Sequence, residues 1–124
     1  MQIAVVSAVA AAGAIGASSR YLLTLALRQV FADSPWPIAA VNIIGCFGFG
    51  VCWSLSQERM SSTIAVAVLV GFFGAFTTFS AFALDCQLLL SERRYGLFAL
   101  NLVAQNGLGV LSLWLGMIVG GPRS

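Results

Sequence analysis

Lysine and histidine are absent from this 124-residue chain, and charge of either sign is scarce. Six arginines and four acids make up 8% of the residues, against roughly 25% in a typical soluble domain. So few charges could not cover the surface of a soluble fold of this size. Without histidine there is no Ser-His-Asp or Cys-His machinery, no His-ligated zinc and no imidazole proton relay. No basic cluster interleaved with aromatics exists, so nucleic acid is not an expected partner. The three cysteines, Cys46, Cys52 and Cys86, are odd in number and lie in or beside apolar runs. They read as small core residues rather than a disulfide framework or a metal site. What is abundant is apolar: 60% of the chain is hydrophobic. The expectation is an integral, all-α membrane protein whose residues 1–124 form a single domain.

The few charges divide the chain. Residues 1–19, 34–57, 60–84 and 95–122 carry none. A bilayer-spanning helix needs about 20 mostly apolar residues, so four spans fit, at about 3–25, 37–56, 63–89 and 97–119. The connectors are short, from Arg28 to Trp36, Gln57 to Ser62 and Ser91 to Gly96. They predict an antiparallel helix set with both termini on one side. The first apolar stretch is like a signal-peptide core, but no basic segment precedes it and it continues through Tyr21-Leu22-Leu23. It is read as a retained span. No lipidation signal is apparent, with Gln2 at one end and Gly-Pro-Arg-Ser at the other. The orientation signal is weak. With the N-terminus outside, Arg20, Arg28, Arg93 and Arg94 are cytoplasmic while Arg59 and Arg123 are external. A chain so poorly biased could insert both ways and pair as an antiparallel homodimer; ordinary one-way insertion is the alternative.

Small residues recur within the spans: Ala10 to Ala17 around Gly13 and Gly16, then Gly45, Gly48 and Gly50, then Gly71 and Gly74, then Gly107, Gly109 and Gly116. They let helix backbones approach closely, within a subunit or across a dimer. Polar groups at membrane depth are costly, so each is a functional hint. Arg20 is either a snorkelling side chain or the positive end of an anion-attracting vestibule. Asn42 offers two donors and one acceptor, for another helix or for an ion. Asn101 and Gln105 share a face of the fourth span as helix glue or as a polar track, with Asn106 beside them. The densest constellation is Gly71-Phe72-Phe73-Gly74-Ala75-Phe76-Thr77-Thr78-Phe79-Ser80-Ala81-Phe82. Two glycines and then Thr-Thr weaken a helix in mid-membrane. Irregular backbone there is tolerated only where it is buried or lines a cavity, and the carbonyls it frees suit a hard cation such as Na⁺. Phe79 and Phe82 share a face. Their positive ring edges can solvate a small anion, or the pair can simply pack.

At these residues the sequence resembles the CrcB/Fluc fluoride channel family. The segment from Gly71 to Phe82 is similar to the family's third-helix pattern GF-x-GG-x-TTFSTF. Asn42-x-x-Gly45, after Trp36-Pro37, resembles its second-helix motif. Gly16-Ala17-Ser18-Ser19-Arg20-Tyr21 looks like its first-helix stretch, and Leu113-Trp114-Leu115-Gly116 is similar to the end of its fourth helix. The resemblance implies an antiparallel, dual-topology homodimer of four-helix subunits, each with a third helix broken near its middle. It implies passive export of F⁻ across the cell membrane, the inner membrane in a Gram-negative source, which relieves fluoride toxicity. It also implies a structural Na⁺, not transported, held by the carbonyls of Gly74 and Thr77. The ion path would be lined by Asn42, Phe79 and Phe82, with Ser80 and Thr78 at the motif's hydroxyl positions and Asn101 and Gln105 on the fourth helix. Arg20 falls at the vestibule. The partners are then fluoride, membrane lipid and a second copy of the chain. Departures are Ala75 for a usual Gly, Ala81 for Thr, and Asp85 in the common place of Glu. Gly109 and Leu113 stand where some members carry track hydroxyls.

The expected activity is therefore a channel's, not an enzyme's. Neutral donors bind a small anion moderately, which permits both entry and exit. Two rivals are a four-span proton-coupled multidrug-type antiporter, for which Asp85 is the only carboxylate near a span, and a non-conducting partner subunit.

Overall fold

Each uncharged run becomes one long helix. The computed structural model describes residues 1–122; Arg123, counted above for orientation, lies outside them. The helices are Gln2–Arg28, Trp36–Arg59, a joined third span Ser62–Ser91, and Tyr95–Val119. All four are long and apolar enough to cross a membrane, and no strand occurs among the described residues. The first two helices run on past their apolar stretches to Arg28 and Arg59 in their last turns. A cation there meets the negative end of the helix dipole, and its long stem reaches towards water.

Local chemistry sets the ends. Pro37 lies in the first turn of the second helix, where its missing N–H leaves no bond unmade. The Ser61 hydroxyl caps the third span by accepting from the Ile64 N–H at 3.4 Å. In the third connector Arg93 takes a left-handed φ of 58°, and Arg94 Nη1 then donates to the Asp33 carbonyl at 3.2 Å. This bond ties the first and third connectors together at one end of the bundle.

Two helix pairs carry the packing, and glycine makes both close. The second and fourth helices run side by side. A Cβ on Gly50 would strike the Leu113 carbonyl, and one on Gly116 the Phe47 carbonyl. Ser54 Oγ donates to the Met117 carbonyl at 2.8 Å and Ser112 Oγ to the Ile43 carbonyl at 2.9 Å, hydroxyl links of the kind that join membrane helices. The first helix packs on the first half of the third span, where Gly16 faces the Phe72 carbonyl and Gly71 the Val9 carbonyl. Few hydrophobic residues are buried, Val41, Phe76 and Leu89 among them; Ile38, Phe82 and Cys86 form one cluster, with Ala81 and Phe98 packed against it. Val6, Ile15, Leu22, Val70, Val103 and Val110 point outward, as suits a chain surrounded by lipid.

The third span is irregular where its composition is weakest. Gly74–Phe76 is α-helical, Thr77 and Thr78 take extended angles (φ −85°, ψ 150°; φ −145°, ψ 115°), and Phe79–Ser91 resumes the α-helix. Thr78 caps the second half, its hydroxyl accepting from the Ala81 N–H at 3.2 Å. Before this step, Ala67–Phe73 is wound as a π-helix. The glycines and paired threonines announce the extended step. Nothing in the periodicity announces the wide turns before it.

Candidate functional site

The step at Thr77-Thr78 is where the polar residues of three helices meet. Asn42, on the second helix, grips it: Oδ1 accepts from the Thr78 N–H at 2.8 Å and Nδ2 donates to the Thr78 carbonyl at 3.1 Å. Asn42 thereby partners main-chain groups that no longer fit a helical ladder. Nδ2 also donates to Gln105 Oε1 at 2.8 Å. Gln105 Nε2 donates to Asn101 Oδ1 at 2.9 Å, and Asn101 Nδ2 to Cys86 Sγ at 3.4 Å. Thr78, Asn42, Gln105, Asn101 and Cys86 thus form one hydrogen-bonded line through the bundle. Such groups are costly in an apolar medium unless paired.

The four carbonyls from Gly74 to Thr77 lose their ordinary helical partners where the helix stops at Phe76 and resumes at Phe79. In an α-helix the Gly74 carbonyl would accept from the Thr78 N–H, and the Thr77 carbonyl from the Ala81 N–H. The first N–H goes to Asn42 and the second to the Thr78 hydroxyl. The Thr77 hydroxyl turns back onto the Phe73 carbonyl at 2.9 Å. Arg20 reaches the step from the first helix, Nε donating to the Ala75 carbonyl at 3.1 Å. Its cation thus sits at the C-terminal end of the helical stretch that closes at Phe76, where the dipole is negative.

Beside the step lies a groove of about 220 Å³, open on one side, lined by Asn42, Thr78, Phe79, Phe82, Gln105 and Asn106 among others. The Phe79 and Phe82 rings are 5.5 Å apart and tilted by 55°. Phe82 is 7% exposed and Phe79 77%, so one ring is locked in the core while the other stands out on the open side. Thr78 Oγ1 and Ser80 Oγ share a hydrogen bond of 3.1 Å. Asn106 donates to the Leu102 carbonyl. Asn101 is fully buried and lies behind Gln105, away from the groove. Arg20 is not among the groove's lining residues.

Sequence reasoning did not place Cys86 in the polar line or Cys46 and Asn106 on the groove. Cys86 had a signal: it follows Phe82 by four positions and Phe79 by seven, on the same helical face. Asp85, on which the antiporter reading depends, lies with Arg28, Asp33, Glu92 and Arg94 around a charged cleft near the tied connectors. It is away from the groove.

Comparison with known proteins agrees across nearly the whole chain. The family described as "CrcB-like protein, Camphor Resistance (CrcB)" matches residues 7–117. A protein of Nitrosococcus oceani named "Fluoride-specific ion channel FluC" is 42% identical over 114 residues, covering 90% of this chain and 91% of the relative. One of the same name from Solidesulfovibrio magneticus is 45% identical over 115 residues, 90% and 92% of the two chains. A third, from Parabacteroides distasonis, is 39% identical over 110 residues, 87% and 86%.

Proposed function

The chain belongs to the CrcB-like family, and from that membership we propose that it is a fluoride-specific ion channel of the cell membrane. It lets F⁻ leave the cell passively and so lowers fluoride toxicity. The observation that carries this reading is the groove beside the extended step. It joins neutral hydrogen-bond donors to two phenylalanine rings, and no formal side-chain charge lines it. Fluoride is small and strongly hydrated, so a pore must replace its water. Hydroxyls, amide N–H groups and positive ring edges do this without the grip of a full charge.

The working unit of the proposal is an antiparallel, dual-topology homodimer. The weak arginine bias supports it, and so does the open side of the groove, where Phe79 stands exposed for a second copy to cover. The third span acts as two half-helices joined at Thr77-Thr78. The Gly74 and Thr77 carbonyls, released from helical bonding, fit a hard cation, and we assign them to a structural Na⁺. Bound there, it would add positive field and fasten the two irregular spans. Arg20 holds its charge near the same step, as a vestibule cation would.

Fluoride release from proteoliposomes, compared with chloride, tests the function. Rapid fluoride efflux in Na⁺ buffer, slower after Na⁺ is exchanged for a large organic cation, is expected. Absence of fluoride release in Na⁺ buffer would sink the channel reading. Phe79→Ile and Phe82→Ile keep an apolar side chain but remove the ring edge. Each is expected to cut fluoride flux about tenfold or more while the dimer survives size-exclusion chromatography. Normal conduction by both variants would remove the ring edges from the mechanism.

A further inference from the structure

We propose that Cys86 and Asn101 are positioning residues, which orient the amides of Gln105 and Asn42 through one directional hydrogen-bond relay. The relay makes Gln105, and not Asn42, the amide donor left over for fluoride. The direction of the line is fixed by its backbone end. A main-chain N–H can only donate and a carbonyl can only accept. Because Thr78 N–H meets Asn42 Oδ1 and Thr78 C=O meets Asn42 Nδ2, the Asn42 amide has one permitted orientation. Nδ2 therefore faces Gln105 Oε1, Gln105 Nε2 faces Asn101 Oδ1, and Asn101 Nδ2 faces Cys86 Sγ. Each amide turns its donor end away from the step and towards the thiol.

Counting protons then separates the two groove amides. Both N–H bonds of Asn42 are engaged, one by the Thr78 carbonyl and one by Gln105. Gln105 gives one of its two to Asn101 and keeps the other. Gln105 also lines the groove, so its remaining N–H is available to an anion there. Asn42 presents fluoride with a side chain already used up in holding the step. At the far end the buried Cys86 sulfur is the acceptor that keeps the Asn101 amide from turning over. If Asn101 turned, its NH₂ would face the NH₂ of Gln105.

This inference rests on the channel reading, and two readouts keep the two apart. The first is fluoride efflux from the full-length protein in Na⁺ proteoliposomes. Cys86→Ala removes the acceptor and is expected to slow efflux about fivefold, the worth of one neutral hydrogen bond. Cys86→Ser restores an acceptor and is expected to stay within about twofold of the wild type. Asn101→Leu removes the partner of Gln105 and is expected to slow efflux more than Cys86→Ala. The second readout is the side-chain amide NMR signals of Asn42, Asn101 and Gln105 in micelles. Faster hydrogen exchange at Asn101 and Gln105 is expected in Cys86→Ala but not in Cys86→Ser. Fluoride, and not chloride, is expected to shift the Gln105 signal and leave that of Asn42 in place.

Wild-type flux and unchanged amide exchange in Cys86→Ala overturn the relay, as does a serine variant no better than alanine. A fluoride shift at Asn42 in place of Gln105 overturns the donor assignment. If the wild type passes no fluoride but the amides respond in the stated order, the relay stands and the channel reading falls.

Discussion

Asn42→Leu is expected to abolish fluoride efflux and to destabilise the third span at the same time. Leucine has nearly the shape of asparagine but none of its polarity. The Thr78 N–H and carbonyl and Gln105 Oε1 would all lose their partner. Buried polar groups left unsatisfied cost about 1–3 kcal/mol each, so the variant should melt well below the wild type in micelles. Its flux should fall by about 100-fold or more, because the step is no longer held against the fourth helix. Asn42→Asp leaves one oxygen to accept from the Thr78 N–H, but its other oxygen, where an NH₂ stood, faces the Thr78 carbonyl and Gln105 Oε1. An ionised carboxylate there meets two acceptors and is costly at this depth, so this variant should pass no fluoride and melt no higher than the leucine one. A leucine variant that melts with the wild type would deny Asn42 its hold on Thr78.

The second large effect concerns the closest helix pair. Gly50→Ala drives a methyl group into the Leu113 carbonyl, and Gly116→Ala drives one into the Phe47 carbonyl. Both obstacles are backbone, so no side chain can swing aside and the helices must separate. Overpacking of this kind costs about 1–3 kcal/mol. The Ser54–Met117 and Ser112–Ile43 bonds span the same interface and would lengthen with it. Because both alanines open one gap, the double variant should lose less than the sum of the singles. Gly96→Ala is the counter-case: open space surrounds the new methyl group. There alanine gains roughly 0.5–1 kcal/mol of helix propensity, so the melting temperature should rise slightly. The check is thermal unfolding of the four variants in one detergent. Gly50→Ala that melts with the wild type would show the second and fourth helices to be more loosely packed than these contacts require.

Both effects depend on how differently sequence and tertiary contact constrain a residue. The glycine stripes were visible along the chain, but their partners were not. Gly50 and Gly107 look alike as small residues in apolar spans. One lies against a carbonyl backbone while the other has open space beside it. Phe79 and Phe82 share a helical face by spacing, yet one is outside and the other is in the core. Phe79 is the first residue of the helix that resumes after the extended step, and Phe82 lies one turn further in. Spacing reports direction within one helix; burial depends on what stands across from it.

Ten charges in 124 residues, placed mostly at the ends of long apolar runs, determined the membrane class and the four helices. A bilayer supplies no water to solvate a bare backbone, so runs of that length must be helical. Gly71, Gly74 and Thr77-Thr78 determined where the third span would be weakest, because those residue types lower helix stability wherever they stand. Tertiary structure alone decided that Asn42 reaches Thr78, 36 positions away, and that Gln105, Asn101 and Cys86 continue the same line. Amides and thiols have no preferred partner in sequence. Their pairing is chosen by which helices touch and at what height, and in an apolar interior an unpaired group is too costly to leave alone.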